Sequence, residues 1–137
     1  MQTLHRLSER PDPLLTIVVP CFQEEQTIPE FHKRITRVVR CLPVSCEILY
    51  IDDGSNDRTA DLLRHYQDGS DVRCLFLSRN FGKEAALSAG IDHARGSALI
   101  FIDVDLQDPP ELITSMVHHW QMGYDVVNMQ RDLRTGD

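Results

Sequence analysis

Residues 99–111 read L-I-F-I-D-V-D-L-Q-D-P-P-E, and the fold follows from how this stretch is parsed. Its first four residues are apolar and partly β-branched, the composition of a strand buried on both faces. Asp103 and Asp105 end the apolar run, and Pro109 and Pro110 suit the first turn of a helix, where a missing N–H costs little. A buried strand that breaks into carboxylates and restarts as a helix is the corner of an α/β unit. Carboxylates gathered at such a corner repel one another unless a cation, a shared proton or solvent relieves them. The stretch therefore implies a partner as well as an architecture.

The same alternation recurs on both sides of it. Apolar, β-branched runs at 14–19, 46–51, 72–77, 97–102 and 125–129 predict five strands. Between the first two, Ile28, Phe31, Ile35, Val38, Val39 and Leu42 recur three or four apart, a helical stripe with Pro29 in its first turn. Leu62, Leu63 and Tyr66 mark a short second helix, 83–94 an Ala-rich third, and Leu112, Ile113, Met116, Val117 and Trp120 a fourth that ends at Gly123. Strands alternating with helices at this spacing predict an α/β fold with a parallel sheet covered by helices on both faces. A polar leader, 1–13, precedes a single domain, 14–137.

Bulk properties exclude several classes. A net charge of −7 over 137 residues argues against a nucleic-acid surface. No run approaches the roughly 20 apolar residues of a membrane span, and the leader lacks the apolar centre of a signal peptide, so a cytoplasmic location is expected. Cys21, Cys41, Cys46 and Cys74 form no C-x-x-C pair and read as free structural thiols. His118 and His119, adjacent on a helix, point apart and make a poor metal pair.

In parallel α/β sheets ligands bind beyond the carboxyl ends of the strands. There lie 20–25, Asp52 and Asp53, 79–83, and 103–107, so the unusual chemistry shares one edge. Neither G-x-G-x-x-G nor G-x-x-x-x-G-K-[ST] is present, which removes the usual phosphate cradles. Asp52 or Asp53 can accept from a base N–H or a ribose hydroxyl, although a turn-and-cap role also fits Asp53-Gly54-Ser55. Asp103 and Asp105, two apart in an extended segment, share a side and with Gln107 offer oxygen ligands suited to Mg²⁺ or Mn²⁺. Arg79 and Lys83 supply cations beside Gly82, and the third helix adds N-terminal amides for an anion. A solvated surface role fits Lys83 equally well.

Four motifs, V-V-P-C-F-Q-E-E at 18–25, I-D-D-G-S-N-D-R-T at 51–59, S-R-N-F-G-K-E-A-A at 78–86 and D-V-D-L-Q-D-P-P-E at 103–111, resemble glycosyltransferase family 2 in sequence and order. The resemblance is to the polyprenyl-phosphate group, which includes dolichyl-phosphate mannose synthase and bacterial undecaprenyl-phosphate sugar transferases. It implies a Rossmann-like GT-A nucleotide-sugar-binding fold. Pro20, Phe22, Glu24 and Asp53 would surround the nucleoside, with Asp52 beside them; Asp103, Asp105 and Gln107 would hold the divalent cation on the donor pyrophosphate. Gln23 stands where the family usually has Asn and, as another amide, is expected to have little effect. Members continue well past this length, so the resemblance covers the family's N-terminal part.

The implied activity is metal-dependent transfer, with inversion, from a UDP- or GDP-sugar to a polyprenyl phosphate, at the cytoplasmic face of a membrane in the full-length protein, with Asp105 as the catalytic carboxylate. The chain itself is expected to carry the donor side only, to bind donor weakly and transfer little, and to self-associate through an open sheet edge. One alternative is a non-catalytic nucleotide-sugar and metal module. A haloacid dehalogenase-type phosphatase ranks below it, because that D-x-D loop follows a first strand and this one a fourth.

Overall fold

The computed structural model describes residues 15–68, 71–105 and 109–121. In chain order they form β1 (Leu15–Cys21), α1 (Ile28–Arg40), β2 (Cys46–Asp52), α2 (Thr59–Tyr66), β3 (Val72–Phe76), α3 (Lys83–His93), β4 (Ala98–Phe101) and α4 (Leu112–Gln121). The expected leader, the expected strand at 125–129 and Gln107 lie outside the described residues.

All strand pairs are parallel, in the order β3-β2-β1-β4. The chain steps outward from β1 to β3, then returns to the other side of β1. With crossovers of one hand, that reversal puts α1 and α2 on one face and α3 on the other. The core divides accordingly. Leu15, Ile17, Val19, Ile48 and Tyr50 pack with Phe31, Ile35, Leu63, Ile113 and Met116, so α1, α2 and α4 cover one face. Val18, Leu49 and Ile51 meet Ala86 of α3 on the other. The period-two alternation of β1 and β2 thus feeds two apolar layers, which is why both strands read as unbroken apolar runs. On α3, Gly90 lies so close to the sheet that a Cβ there would sit 2.5 Å from Val18 Cγ1.

At the amino ends of the strands lies a buried carboxylate. Glu47, 1% exposed, accepts from Thr16 Oγ1 at 2.7 Å, Arg73 Nη1 at 2.9 Å and the Arg95 amide at 2.8 Å. Thr16 Oγ1 in turn accepts the Gly96 amide at 2.9 Å. This hub ties β1, β2, β3 and the entry to β4 together.

The opposite end opens because of one residue. The amide of Ile102 donates to Val18 O at 3.1 Å; the next bond of that ladder would come from residue 20, and Pro20 has no N–H. Pairing between β1 and β4 stops there. β4 ends at Phe101, one residue before the expected limit.

Candidate functional site

The strands on either side of this divergence lead in opposite directions along the sheet, the switch point where α/β sheets bind ligands. A cleft of about 320 Å³ lies there, at the small end of the range for ligand sites. Pro20, Cys21, Phe22 and Glu24 line it from β1, and Asp103, Val104 and Asp105 from β4. Asp53 lines it from β2, with Asn80, Gly82, Lys83 and Ala86 from the start of α3.

The D-x-D segment is set by the residues around its carboxylates. Ile102 and Val104 are 3% and 1% exposed in the core, which leaves Asp103 and Asp105 on the cleft side. Lys83 Nζ bridges Asp103, 2.9 Å from Oδ1 and 3.0 Å from Oδ2. Across the cleft, burial pushes the Glu24 carboxyl up from its ordinary value. The Thr27 hydroxyl, 3.0 Å from Glu24 Oε1, opposes that rise, while the charges of Asp105 and Asp103 add to it. The three carboxylates therefore repel across a shared space.

Asp53 and Asp52, adjacent in sequence, have different surroundings. Asp53, 4% exposed, accepts the Phe81 amide on Oδ1 at 2.8 Å, and the Gly82 amide and Asn80 Nδ2 on Oδ2 at 3.0 and 3.1 Å. Its carboxylate clamps the turn leading into α3. That turn lies on Gly54, φ +73°, where a Cβ would meet Arg79 C at 2.2 Å. Glycine is required there both for the left-handed backbone and for the space.

Asp52, 3% exposed, lies outside the cleft lining. Its Oδ2 accepts the Ser55 amide at 3.3 Å, while Oδ1 has no hydrogen-bond partner among the described residues. Burial pushes the Asp52 carboxyl up. Burial, with the Asp52 charge second, also pushes the Cys74 thiol up to about 12. Thiols held protonated in this way are inert structural groups, and Cys21, Cys41, Cys46 and Cys74 are all free.

The cleft thus gathers Pro20, Phe22, Glu24, Asp53, Lys83, Asp103 and Asp105, and does not gather Asp52 or Arg79. The Arg79 guanidinium instead stacks on Phe81, 4.4 Å from the ring centroid. The sequence reading passed over Asn80; its signal was an amide two residues before a glycine at a strand end. Among the described residues no three His, Cys, Asp or Glu side chains close into a metal cluster. Mg²⁺ and Mn²⁺ need no such cluster, since one or two carboxylates with water and phosphate oxygens complete their shell. Asp103 and Asp105, facing an acidic cleft, fit an ion of that kind.

Comparison with known proteins supplies the family and the fold. The sequence model of "Glycosyl transferase family 2" matches residues 16–137. An uncharacterized glycosyltransferase of Synechocystis sp. is 47% identical over 124 residues, 90% of this chain and 39% of that protein. The bactoprenol glucosyl transferase of Shigella phage SfV is 44% identical over 124 residues, 90% of this chain and 40% of that protein. The chain therefore spans about two fifths of the length of the curated relatives it matches. Among solved structures, a mannosyltransferase of Pyrobaculum calidifontis in complex with GDP-Man and Mn²⁺ superimposes with a TM-score of 0.67. Its identity is 20%, over 92% of this chain and 39% of that one, a likeness of fold.

Proposed function

The chain belongs to glycosyl transferase family 2, and from that premise we propose that its cleft is the donor site for metal-dependent transfer of a sugar, with inversion, from a UDP- or GDP-sugar to a polyprenyl phosphate. One observation carries the reading: an acidic strand end, Asp103 and Asp105, faces the N-terminus of α3 across a single cleft. That pairing suits a diphosphate with its cation, because helix N-termini favour phosphate and carboxylates favour the metal.

Phe22, 45% exposed, offers a ring face to the base. Asp53 Oδ1 retains acceptor capacity for a base N–H beyond its bond from Phe81. Pro20 and Glu24 close that end, and Asp52, next to Asp53 in the chain but outside the lining, is assigned an indirect part. Lys83 and the first amides of α3 would stabilise phosphate charge; Arg79, stacked on Phe81 outside the lining, would have to move to join them. Asp103 and Asp105, with Gln107, would hold Mg²⁺ or Mn²⁺, which supplies Lewis-acid relief of the charge developing on the leaving diphosphate. Asp105 is accordingly the proposed catalytic carboxylate. A phosphate acceptor, with a second pKa near ~6, is already largely ionised at neutral pH and needs little help from a general base.

Among the described residues no helix is long and apolar enough to cross a membrane. On this reading a lipid-phosphate acceptor would bring the protein to the cytoplasmic face of a membrane. β4 pairs only with β1 among the described residues, and Phe101 on it is 40% exposed. Such an edge invites pairing with a second copy, and light scattering showing a clean monomer at high concentration would overturn that part.

Calorimetry with UDP- and GDP-sugars, with and without Mn²⁺, tests the donor site. Metal-dependent binding of one of them is the expected result. Metal binding without nucleotide binding would sink the reading and leave a receiver-type cation site.

A further inference from the structure

The loops that follow β1 and β2 are joined by five hydrogen bonds. Three successive amides of the first loop donate to side chains of the second: Gln23 to Ser55 Oγ at 2.9 Å, Glu24 to Thr59 Oγ1 at 2.9 Å, and Glu25 to Asp57 Oδ2 at 3.4 Å. Two amides of the second loop answer, Asn56 to Gln23 Oε1 at 2.7 Å and Arg58 to Glu25 Oε1 at 3.1 Å. Thr59 is fully buried, so the clasp is rooted in the base of α2.

Gln23 holds an unusual place in it. With φ +55° it is the non-glycine residue with a left-handed backbone among the described residues. That conformation is costly for residues with a Cβ, and Asn tolerates it better than most. Glutamine does not share that tolerance, so its surroundings must hold it. Its amide does not line the cleft; the side-chain oxygen lies across the gap on Asn56. Its neighbours Phe22 and Glu24 both line the cleft. The turn at Gln23 therefore sets the direction of two cleft side chains at once.

We propose that Gln23 is a positioning residue: its amide oxygen on Asn56 and its own N–H on Ser55 lock the two loops into one body and hold Phe22 and Glu24 in place for nucleotide. This deepens the donor-site reading and rests on it. It keeps the expectation that Gln in place of Asn matters little, because either amide can serve the clasp at a different balance of reach and backbone strain. The longer side chain spans two loops, and its backbone carries the strain that Asn would carry more easily.

The test uses the 137-residue chain and three variants. Gln23→Gly keeps the left-handed backbone and removes the amide, Gln23→Ala removes both, and Gln23→Asn keeps an amide and suits the backbone. In NMR-detected amide exchange without nucleotide, Gln23→Gly is expected to speed exchange about tenfold at Glu24, Glu25 and Arg58 as well as at Asn56, with Tm within about 2 °C of wild type. Gln23→Asn restores protection at Glu24 and Glu25. Acceleration confined to Asn56 would overturn the proposal, since the loops would then hold without Gln23. In calorimetry with UDP and GDP in Mn²⁺, Gln23→Gly weakens the wild-type affinity about fivefold through loss of preorganisation, and Gln23→Asn regains most of it. Unchanged affinity in Gln23→Gly would likewise overturn it. A wild-type chain that binds neither nucleotide would defeat the donor-site reading instead, and the exchange data alone would still decide whether Gln23 couples the loops.

Discussion

At the amino ends of the strands Glu47 is almost fully buried, with Thr16, Arg73 and Arg95 around its oxygens. At the carboxyl ends Glu24, Asp103 and Asp105 face one another across a cleft, with Lys83 on Asp103. Burial pushes both glutamates up and a threonine hydroxyl opposes it at each, but their charged neighbours act in opposite senses. The Thr16 hydroxyl, the Arg95 amide and the two guanidiniums outweigh burial and hold Glu47 below the usual carboxylate range. At Glu24 the nearby aspartates reinforce burial. A carboxylate neutralised within the chain holds the fold together. Carboxylates that share a cleft beside a helix N-terminus, with Lys83 on Asp103, are the group that the proposed donor site assigns to a ligand.

The sharpest way to break this contrast is to remove one carboxylate at each end. Glu47→Ala is expected to cost about 3 kcal/mol in urea denaturation, the low end for breaking a buried pair, because Arg73 and Arg95 can reach solvent. Without metal, Asp105→Asn should stay within about 0.5 kcal/mol of wild type or gain slightly. Equal losses at both ends would erase the distinction.

Next in size is the response to ligand. Mn²⁺ with the preferred nucleoside diphosphate at about 100 times its Kd should add about 2.7 kcal/mol, read as a rise in melting temperature. Asp105→Asn abolishes that rise and Glu47→Gln keeps it. A rise that survives Asp105→Asn would move the cation elsewhere.

A smaller effect is expected at Asp52, whose Oδ1 is buried and unpartnered among the described residues. Asp52→Asn should stabilise the chain at neutral pH by less than about 1 kcal/mol, since it removes a buried charge but leaves an amide NH2 in the same unpartnered place. A loss of stability would mean that the charge is used.

The smallest effect is the pH profile, where the two ends oppose each other. Glu47 has a folded pKa below its unfolded value of about 4.3. Its contribution is present above that value and is lost as pH falls through the folded pKa. Asp52 has a folded pKa above its unfolded value of about 3.9. Its contribution is complete below that value and is lost as pH rises through the folded pKa. Stability should therefore decline slightly from mildly acidic to neutral pH, and Asp52→Asn should flatten that decline. Glu47→Gln should instead soften the acid limb; a profile unmoved by either change would show that neither group titrates on unfolding.

Much of the fold was legible in the sequence because it is local. The helical stripe from Ile28 to Val38 is the buried face of α1, and the apolar runs at 46–51 and 72–77 match β2 and β3 to within a residue. Asp103 and Asp105 were expected to share a side because residues two apart do so in an extended segment; they do line one cleft, although Val104 and Asp105 lie in a turn. Asp52 and Asp53 could not be told apart, since adjacent residues face opposite ways and either could have met the cleft. The Glu47 hub and the Gln23 clasp were invisible for a related reason: their partners lie 26 to 48 and 32 to 33 residues away.

What the sequence determined by itself was the succession of strands and helices and the edge on which the chemistry collects; Pro20, expected to close the first strand, instead lies within β1. The succession and the edge follow from side-chain period, backbone chemistry or the preference of the chain for turning at a given residue. The tertiary structure decided which carboxylate of a pair enters the cleft, which is neutralised at the base, and which loops are hydrogen-bonded to one another. Those choices depend on strand register and on the packing of α3 against β1 and β2, free energies that belong to distant residues brought together.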